Sequence, residues 1–308
     1  MNHYFKISKS GFISLFIVLI TVGQTKAQED VITYDIGSFA VTLLSEGQQQ
    51  GNKSILVDAT EEMLKETIPN GTFPSAVNAF LVETENKTIL FDTGFGRKLF
   101  DNLERIGKTT ADIDVIMLTH MHGDHIGGLL KDDKKSFPNA MLYIPQPEYD
   151  YWMNDEIMQS IPENRRGSFT QARKAIEAYK NNLQLFIPNE LESITSEVFP
   201  GIRGIAAYGH TPGHTAYLLN SDNSQFMIWG DLTHVTPIQM DYPQVAVTYD
   251  VDPAKAVESR QQIFKYLADN KIDIAGMHIQ YPGLGTVSKN KSDGYIFKLT
   301  CDCEGMER

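Results

Sequence analysis

Residues 120–125, which read His-Met-His-Gly-Asp-His, constrain this chain more than any other feature of its sequence. Three imidazoles and a carboxylate packed this closely are poorly suited to a core, because each is costly to bury without a partner. The apolar run 115–118 comes before them and predicts a buried strand, and two glycines at 127–128 allow a helix to begin close against a sheet. The sequence therefore predicts a metal site on a loop at the end of a strand.

Three further strand-like runs end in residue types that bind metals. Residues 202–208 lead into a sharp turn that carries His210 and His214. Residues 226–229 lead to Asp231, and residues 272–277 lead to His278. Four strand ends that each deliver such side chains are hard to obtain by chance, so we expect them to meet at one site.

The first 27 residues predict an export signal. They contain Lys6 and Lys9, then an apolar run at 12–22, then a small-residue cleavage site at 25–27. The apolar run is shorter than the roughly 20 residues that span a bilayer. We expect residues 28–308 to form one exported domain, periplasmic or secreted, with no membrane span after the signal is removed.

Composition argues against nucleic acid as a partner. The 308-residue chain has a net charge of −12, which becomes −15 when the three lysines of the first 27 residues are removed. An acidic surface repels phosphate backbones. The chain has two cysteines, Cys301 and Cys303, to which we assign no catalytic role; so short a spacing would strain a disulfide, and whether they pair stays open.

The motif at 120–125, together with the three later strand ends, resembles the metallo-β-lactamase superfamily in its binuclear hydrolase form. The resemblance makes seven residues metal ligands: His120, His122, Asp124, His125, His214, Asp231 and His278. It implies one ion held by His120, His122 and His214, a second held by Asp124, His125 and His278, and Asp231 between the two. The expected cofactors are therefore two divalent metal ions.

Two neighbouring residues receive supporting roles from the same resemblance. Asp92, at the start of an Asp-Thr-Gly sequence after the strand-like run 88–91, matches the first motif of the superfamily and would orient a ligand histidine. His210 is interpreted as structural, because His214 satisfies the ligand pattern.

Three stretches narrow the resemblance to one branch of the superfamily. Residues 229–235, 276–285 and 75–82 resemble the branch that contains methyl parathion hydrolases and exported N-acyl homoserine lactone lactonases. The resemblance spans about residues 31–300 and implies the α/β class, as a four-layer αββα sandwich. The binuclear site would lie at the edge between two mixed sheets.

Local patterns agree with that fold. Asp252 and Pro253 predict the start of a helix that ends near residue 270. The residues expected on one face of it are Val257, Gln261, Phe264 and Leu267. A second helix is predicted at about 164–182, within an inserted segment at about 145–200 that is either a lid or substrate wall, or ordinary helix packing.

The resemblance also implies a mechanism. Zinc is the default metal for such nitrogen and oxygen ligands, although iron, cobalt or manganese would fit. Two ions about 3.5 to 4 Å apart share a hydroxide that attacks a carbonyl carbon or phosphorus, since metal binding lowers the pKa of water to roughly 7. The catalytic candidates are Asp124, Asp231 and His234. His234 could donate a proton or hydrogen bond, or it could be a packing residue.

The expected function is opening of the lactone ring of N-acyl homoserine lactones, known as quorum quenching. An acyl tail needs an apolar groove, and the candidate residues to line it are Met63, Leu64, Ile68, Phe73, Met121, Tyr151 and Trp152. The alternative is an aryl-ester or organophosphate triester hydrolase of the methyl parathion hydrolase type. A weaker alternative is a non-catalytic metal-binding protein, which the intact ligand set disfavours. A homodimer is possible.

Overall fold

Two mixed β-sheets lie face to face in the computed structural model, which describes residues 30–193 and 196–300. Numbered along the chain, the first sheet has the spatial order β1 (Val31–Ile36), β2 (Phe39–Asn52), β4 (Thr72–Glu83), β5 (Thr88–Phe91), β6 (Val115–Met117), β9 (Met141–Pro145) and β10 (Leu183–Phe186). The second has the order β11 (Ile202–Ala206), β12 (Thr215–Ser221), β13 (Ser224–Ile228), β15 (Asp273–Ala275), β16 (Leu284–Lys289) and β17 (Tyr295–Leu299). Two short pairs join β3 (Leu56–Val57) to β14 (Ala246–Val247) and β7 (Leu130–Lys131) to β8 (Lys134–Lys135).

Helices lie between the strands along the chain, and some of them cover the outer faces of the two sheets. The helices are α1 (Glu61–Thr67), α2 (Leu99–Arg105), α3 (Gly123–Ile126), α4 (Gln146–Met153), α5 (Asp155–Ser160), α6 (Arg166–Tyr179), α7 (Thr236–Asp241) and α8 (Pro253–Asn270). One apolar core lies between α6 and the first sheet, and another lies between α8 and the second sheet. A third core fills the space between the sheets. The four layers confirm the expected αββα sandwich.

The strand that precedes the histidine motif is buried on both faces. β6 pairs in parallel with β5 on one side and with β9 on the other. All three of its residues are apolar and buried, as parallel strands covered on both sides require. Across the sandwich, the Tyr217 hydroxyl donates a hydrogen bond of 2.7 Å to the carbonyl oxygen of Leu118, directly after β6. The second sheet thus fixes the point at which the motif begins.

Both predicted helices are present. α8 begins at Pro253, where the Asp252 side chain accepts a hydrogen bond from the Lys255 backbone, and α6 falls within the predicted range of 164–182. The buried face of α8 differs from the expected one, because Gln261 is exposed and Arg260 is buried. The Arg260 guanidinium donates to the backbone carbonyl oxygens of Leu232, Pro243 and Val245, which explains how a charged residue enters a core.

Some expectations concern residues outside the described ranges. The export signal and the two cysteines at 301 and 303 both lie there, so the signal and the domain bounds stay predictions. Within residues 30–193 and 196–300, no helix combines the length and hydrophobicity that a membrane crossing needs.

Candidate metal centre and substrate cavity

The four strand ends that the sequence singled out meet at one end of the sandwich. Among the described residues, side chains within ligand distance of one another form four overlapping groups: His120, His122 and His210; His120, His125 and Asp231; Asp124, His125 and His278; and His210, Asp231 and His234. Both sheets contribute, since the motif follows β6 while Asp231 and His278 follow β13 and β15. The carboxylate of Asp231 belongs to two of the groups.

Distances place Asp231 between the histidines. Its Oδ2 lies 3.0 Å from Nε2 of His278, 3.3 Å from Nε2 of His210 and 3.7 Å from Nε2 of His120. Its Oδ1 lies 3.2 Å from Nε2 of His125. One carboxylate therefore reaches histidines on both sides of the cluster, which is the arrangement a ligand shared by two ions needs.

Two histidines of the cluster are held by hydrogen bonds to Nδ1, the ring nitrogen that faces away from the cluster. Nδ1 of His125 lies 2.7 Å from Oδ2 of Asp92, and Nδ1 of His278 lies 2.9 Å from the carbonyl oxygen of Ala76. A ring that donates through Nδ1 keeps the lone pair of Nε2 for a metal. Asp92 also accepts hydrogen bonds from the backbone and side chain of Thr119. The contact agrees with the orienting role expected for Asp92.

The geometry exchanges the roles expected for His210 and His214. Nε2 of His210 lies 2.9 Å from Nδ1 of His122 and points into the cluster. Both nitrogens of His214 are occupied by the backbone, because Nδ1 bonds the carbonyl oxygen of Ala207 at 2.8 Å and Nε2 accepts the N–H of Asp231 at 2.9 Å. His214 has no lone pair left for an ion, so the interpretation of His210 as structural is corrected, and His210 takes the position that His214 was expected to fill.

His214 instead sets the position of Asp231. Gly230, directly before that carboxylate, has a φ of +63°, and a Cβ there would lie 2.5 Å from Nε2 of His214. Only glycine fits so close to the ring at this backbone angle. The His214 ring therefore holds the turn that presents Asp231.

Asp250 completes the support of His210, and no pattern in the sequence indicates this role. Its Oδ1 lies 2.9 Å from Nδ1 of His210, and its Oδ2 accepts the N–H of Val247. A carboxylate behind a histidine fixes the tautomer of the ring and raises its basicity. The signal was available only in three dimensions, because Asp250 lies in a loop forty residues after His210.

The charges of the cluster balance one another. Burial raises the pKa of Asp231, but His125, His278 and His234 hold it well below its usual value. Burial lowers the pKa of His210, but the carboxylates of Asp231 and Asp250 raise it to about 9. Burial likewise lowers the pKa of His125, which the surrounding carboxylates raise well above its usual value. Without metal, protons on these rings offset the buried carboxylates.

The donor set fits divalent cations. Nε2 of His125 and Oδ1 of Asp231 are both buried, and neither has a hydrogen-bond partner of acceptable geometry among the described residues. Buried polar atoms without partners are costly, and cations that accept their lone pairs remove the cost. Imidazole nitrogens and carboxylate oxygens at this density are typical zinc ligands, although other first-row metals bind them too.

His234 lies beside the cluster. Its Nε2 is 3.0 Å from Oδ2 of Asp231, its ring stacks on that of His278 at 4.7 Å, and its Nδ1 is buried without a hydrogen-bond partner among the described residues. Burial lowers the pKa of His234 to about 4, against the opposing effect of Asp231. A neutral ring at this position can donate or accept a hydrogen bond.

An open cavity of about 910 Å³ leads to the cluster. The floor of the cavity consists of His122, Asp124, Asp231, His234 and His278. The aromatic wall consists of Phe73, Phe95, Tyr151, Trp152, Phe169 and Tyr249. The cavity therefore combines a polar floor with a large apolar surface, as a site for an amphipathic small molecule does.

Phe73, Tyr151 and Trp152 line the cavity as expected from the sequence. The other four expected lining residues do not. Met121 is fully buried in the core under the first sheet, because in an extended chain it faces away from the histidines on either side. Met63, Leu64 and Ile68 pack with α7 in an apolar cluster that also contains Phe73, and only Phe73 of these four lines the cavity.

Comparison with known proteins agrees with this geometry. The family model for the metallo-beta-lactamase superfamily matches residues 72–275. A probable metallo-hydrolase of Mycobacterium bovis is 26% identical over 181 residues, which cover 50% of this chain and 56% of that protein. The chain spans about half the length of the curated relatives it matches.

Two solved structures extend the similarity over nearly the whole chain. The hydrolase AbOPH of the beta lactamase superfamily is 27% identical with a TM-score of 0.82, covering 91% of this chain and 100% of that one. The dizinc quorum-quenching lactonase AidC, in complex with the product N-hexanoyl-L-homoserine, is 26% identical with a TM-score of 0.80, covering 89% and 98%. These neighbours match the branch that the sequence suggested. The histidine and carboxylate cluster, the family match and the dizinc neighbour indicate divalent metal ions, and the chain belongs to the metallo-beta-lactamase superfamily as one of its metal-dependent hydrolases.

Proposed function

We propose that this protein opens the lactone ring of N-acyl homoserine lactones. The observation that carries the proposal is the position of Asp231, which lies between two groups of ligand-type side chains on the floor of a cavity with an aromatic wall. That combination suits a substrate with a hydrolysable polar head and an apolar tail. The similarity to AidC, a lactonase with an N-acyl homoserine product bound, supports the same substrate class.

The ligand-type residues would bind two ions. His120, His122 and His210 would hold the first, Asp124, His125 and His278 would hold the second, and Asp231 would be shared. Zinc is the metal we propose, because nitrogen donors dominate the set. Two such ions supply Lewis-acid polarisation of an ester carbonyl and a water acidified to a pKa of roughly 7.

The protein's own groups would orient the substrate and handle its proton. His234 lies on the floor, and its neutral ring has one N–H, which faces Asp231 at 3.0 Å. Once Asp231 binds metal, that N–H could instead donate a hydrogen bond to the alkoxide oxygen that leaves when the ring opens. The aromatic wall would bury the acyl chain and exclude water from it. N-acyl homoserine lactones are small and amphipathic, so they would reach an exported enzyme freely.

The wall also favours a second candidate function, hydrolysis of aryl esters or organophosphate triesters. Six aromatic side chains around one cavity can stack on the ring of an aryl leaving group as well as on an acyl chain. The ligand set suits phosphorus and carbonyl centres alike. Both reactions could belong to one site, with one of them as a side activity.

A substrate panel on the zinc-loaded protein tests the proposal. Homoserine lactones with acyl chains of four to twelve carbons would be followed with a pH indicator, beside paraoxon and phenyl acetate. We expect the highest kcat/KM on a homoserine lactone. Higher kcat/KM on the triester or aryl ester would transfer the proposal to the second candidate. No turnover of any substrate by protein that holds two metal ions would favour a non-catalytic metal-binding protein.

A further inference from the structure

A buried carboxylate outside the ligand set accepts four hydrogen bonds. Glu148, on α4, is fully buried. Its Oε1 accepts the backbone N–H of Met121 at 2.9 Å and the indole N–H of Trp152 at 2.6 Å. Its Oε2 accepts the hydroxyl of Thr211 at 2.6 Å and the backbone N–H of Gly213 at 3.0 Å. Neither the family motifs nor the ligand pattern accounts for this acid.

The four donors come from three parts of the site. Met121 lies between His120 and His122. Thr211 and Gly213 belong to the turn that presents His210. Trp152, whose ring lies 5.9 Å from that of His122, is part of the aromatic wall. One carboxylate therefore reaches both loops that would hold the first ion and the wall of the substrate cavity.

The chemistry of the donors demands an acid at this position. Two backbone N–H groups and one indole N–H can only donate, so an amide nitrogen facing any of them would leave buried donors unpaired. The loop also packs directly on α4, since a Cβ at position 213 would lie 2.1 Å from the backbone nitrogen of Glu148. Nothing in that contact leaves room for the loop to shift and restore a lost hydrogen bond.

We propose that Glu148 is a positioning residue that ties the two ligand loops of the first ion to the Trp152 side of the cavity wall. Metal retention and the shape of the wall then depend on the same carboxylate. The inference rests on the proposed assignment of His120, His122 and His210 to one ion.

The main test is Glu148→Gln, with Glu156→Gln as the control. Glu156 is exposed on the neighbouring α5, so its substitution removes the same charge without a buried partner. The amide nitrogen of Gln would turn toward Thr211, whose hydroxyl can also accept, and would leave the Gly213 N–H unpaired. We expect zinc loss to excess chelator to be about 10- to 100-fold faster than in the wild type, since supporting partners of ligands contribute that much. Equal rates for the two variants would overturn the proposal.

A second variant keeps the test decisive if Glu148→Gln does not fold. Thr211→Val removes one hydrogen bond and leaves the carboxylate in place, and Thr211→Ser restores the hydroxyl. We expect Val to accelerate zinc loss and Ser to return the rate toward that of the wild type. The same rate in all three proteins would contradict the role of Glu148 in holding the His210 loop.

The link to the wall has its own signal. The chain has two tryptophans, Trp152 and Trp229, so a ¹⁵N–¹H spectrum contains two indole signals that Trp229→Phe assigns. The Trp152 indole donates to Glu148, while that of Trp229 has no partner among the described residues. We expect Thr211→Val, on the other side of the carboxylate, to move the Trp152 signal and not that of Trp229. An unmoved Trp152 signal would refute the link.

The outcomes separate this inference from the proposed function. If the wild type binds two zinc ions and opens lactones while Glu148→Gln keeps its zinc at the wild-type rate, only the positioning role fails. If Glu148→Gln loses zinc faster but no lactone is turned over by the wild type, the positioning role stands and the substrate assignment fails.

Discussion

The floor and the aromatic wall of the cavity are built on different principles. On the floor, Asp231 and His278 are buried. The backbone N–H of Asp231 donates to the His214 ring, and the His278 ring bonds the carbonyl oxygen of Ala76 on the first sheet. The wall includes Phe95 and Tyr249, which are 40% and 52% exposed and lie on loops. Buried, bonded groups keep one geometry, whereas exposed loop residues can change without harm to the fold. The comparison separates the buried floor from the exposed part of the wall, Phe95 and Tyr249. The wall residues Phe73, Trp152 and Phe169 are themselves buried and belong with the fixed part of the site.

The largest expected effect comes from the floor. Asp231→Asn keeps the size of the side chain but removes the charge that two ions would share under the proposed assignment, and we expect loss of at least one ion and a fall in kcat/KM of more than about 100-fold. Metal content by mass spectrometry of the native protein, measured together with kinetics, checks this. Two bound ions with unchanged turnover would contradict the role of Asp231 as a metal ligand needed for the reaction.

His210 and His214 give the next largest contrast. His210→Asn should weaken metal binding by about 100-fold, because a ligand contributes at least as much as the partners that support it. His214→Asn should lower the free energy of unfolding of the metal-free protein by about 1–3 kcal/mol, because buried groups of Ala207 and Asp231 lose their partner. Chelator competition and denaturant unfolding measure the two effects. A larger metal defect in His214→Asn would restore the assignment that the sequence alone suggested.

Metal binding to the cluster of histidines and carboxylates should depend on pH. The pKa of His210 is raised to about 9 without metal, so the ring carries a proton at pH 7 that an ion must displace. We expect apparent affinity to increase about tenfold per pH unit for each proton released, from pH 7 up to about 9. Calorimetry in buffers of different ionisation enthalpy counts the protons. Binding without proton release would show that His210 is already deprotonated in the metal-free protein.

His234 is a floor residue that lines the cavity beside the proposed ligands. His234→Asn removes the ring without touching the proposed ligand set, and we expect kcat to fall about tenfold, the value of roughly one hydrogen bond. Metal content should stay at the level of the wild type. A variant that loses an ion would make His234 part of the metal centre, while unchanged kcat would make it a packing residue.

The smallest effect is expected in the wall. Phe95→Ala should raise KM several-fold, about 1 kcal/mol, for long acyl chains and leave kcat nearly unchanged, because only apolar contact is lost. Met63→Leu is the control, since Met63 does not line the cavity. A change of kcat in Phe95→Ala, or of KM in Met63→Leu, would contradict the prediction that exposed wall residues affect only substrate binding.

Sequence reasoning succeeded where a local pattern determines the structure. The buried run before residue 120, the Asp252 cap of α8 and the strand ends at Asp231 and His278 are local signals, and each is in place. The sequence favoured His214 over His210 as a metal ligand, and the geometry reverses that choice. Both histidines follow one strand, and only the hydrogen bonds of the folded loop distinguish them. Asp250 and Glu148 act through contacts across the fold, so no spacing in the chain indicates them.

The hydrogen bond from Tyr217 to Leu118 joins the two sheets, each of which contributes residues to the candidate metal centre. The motif residues belong to the half built on the first sheet, and Asp231 and His278 belong to the half built on the second. Ions bound by ligands from both halves would add their binding free energy to the stability of the contact between the two halves. Loading with metal should therefore raise the melting temperature of the whole domain rather than stiffen one loop.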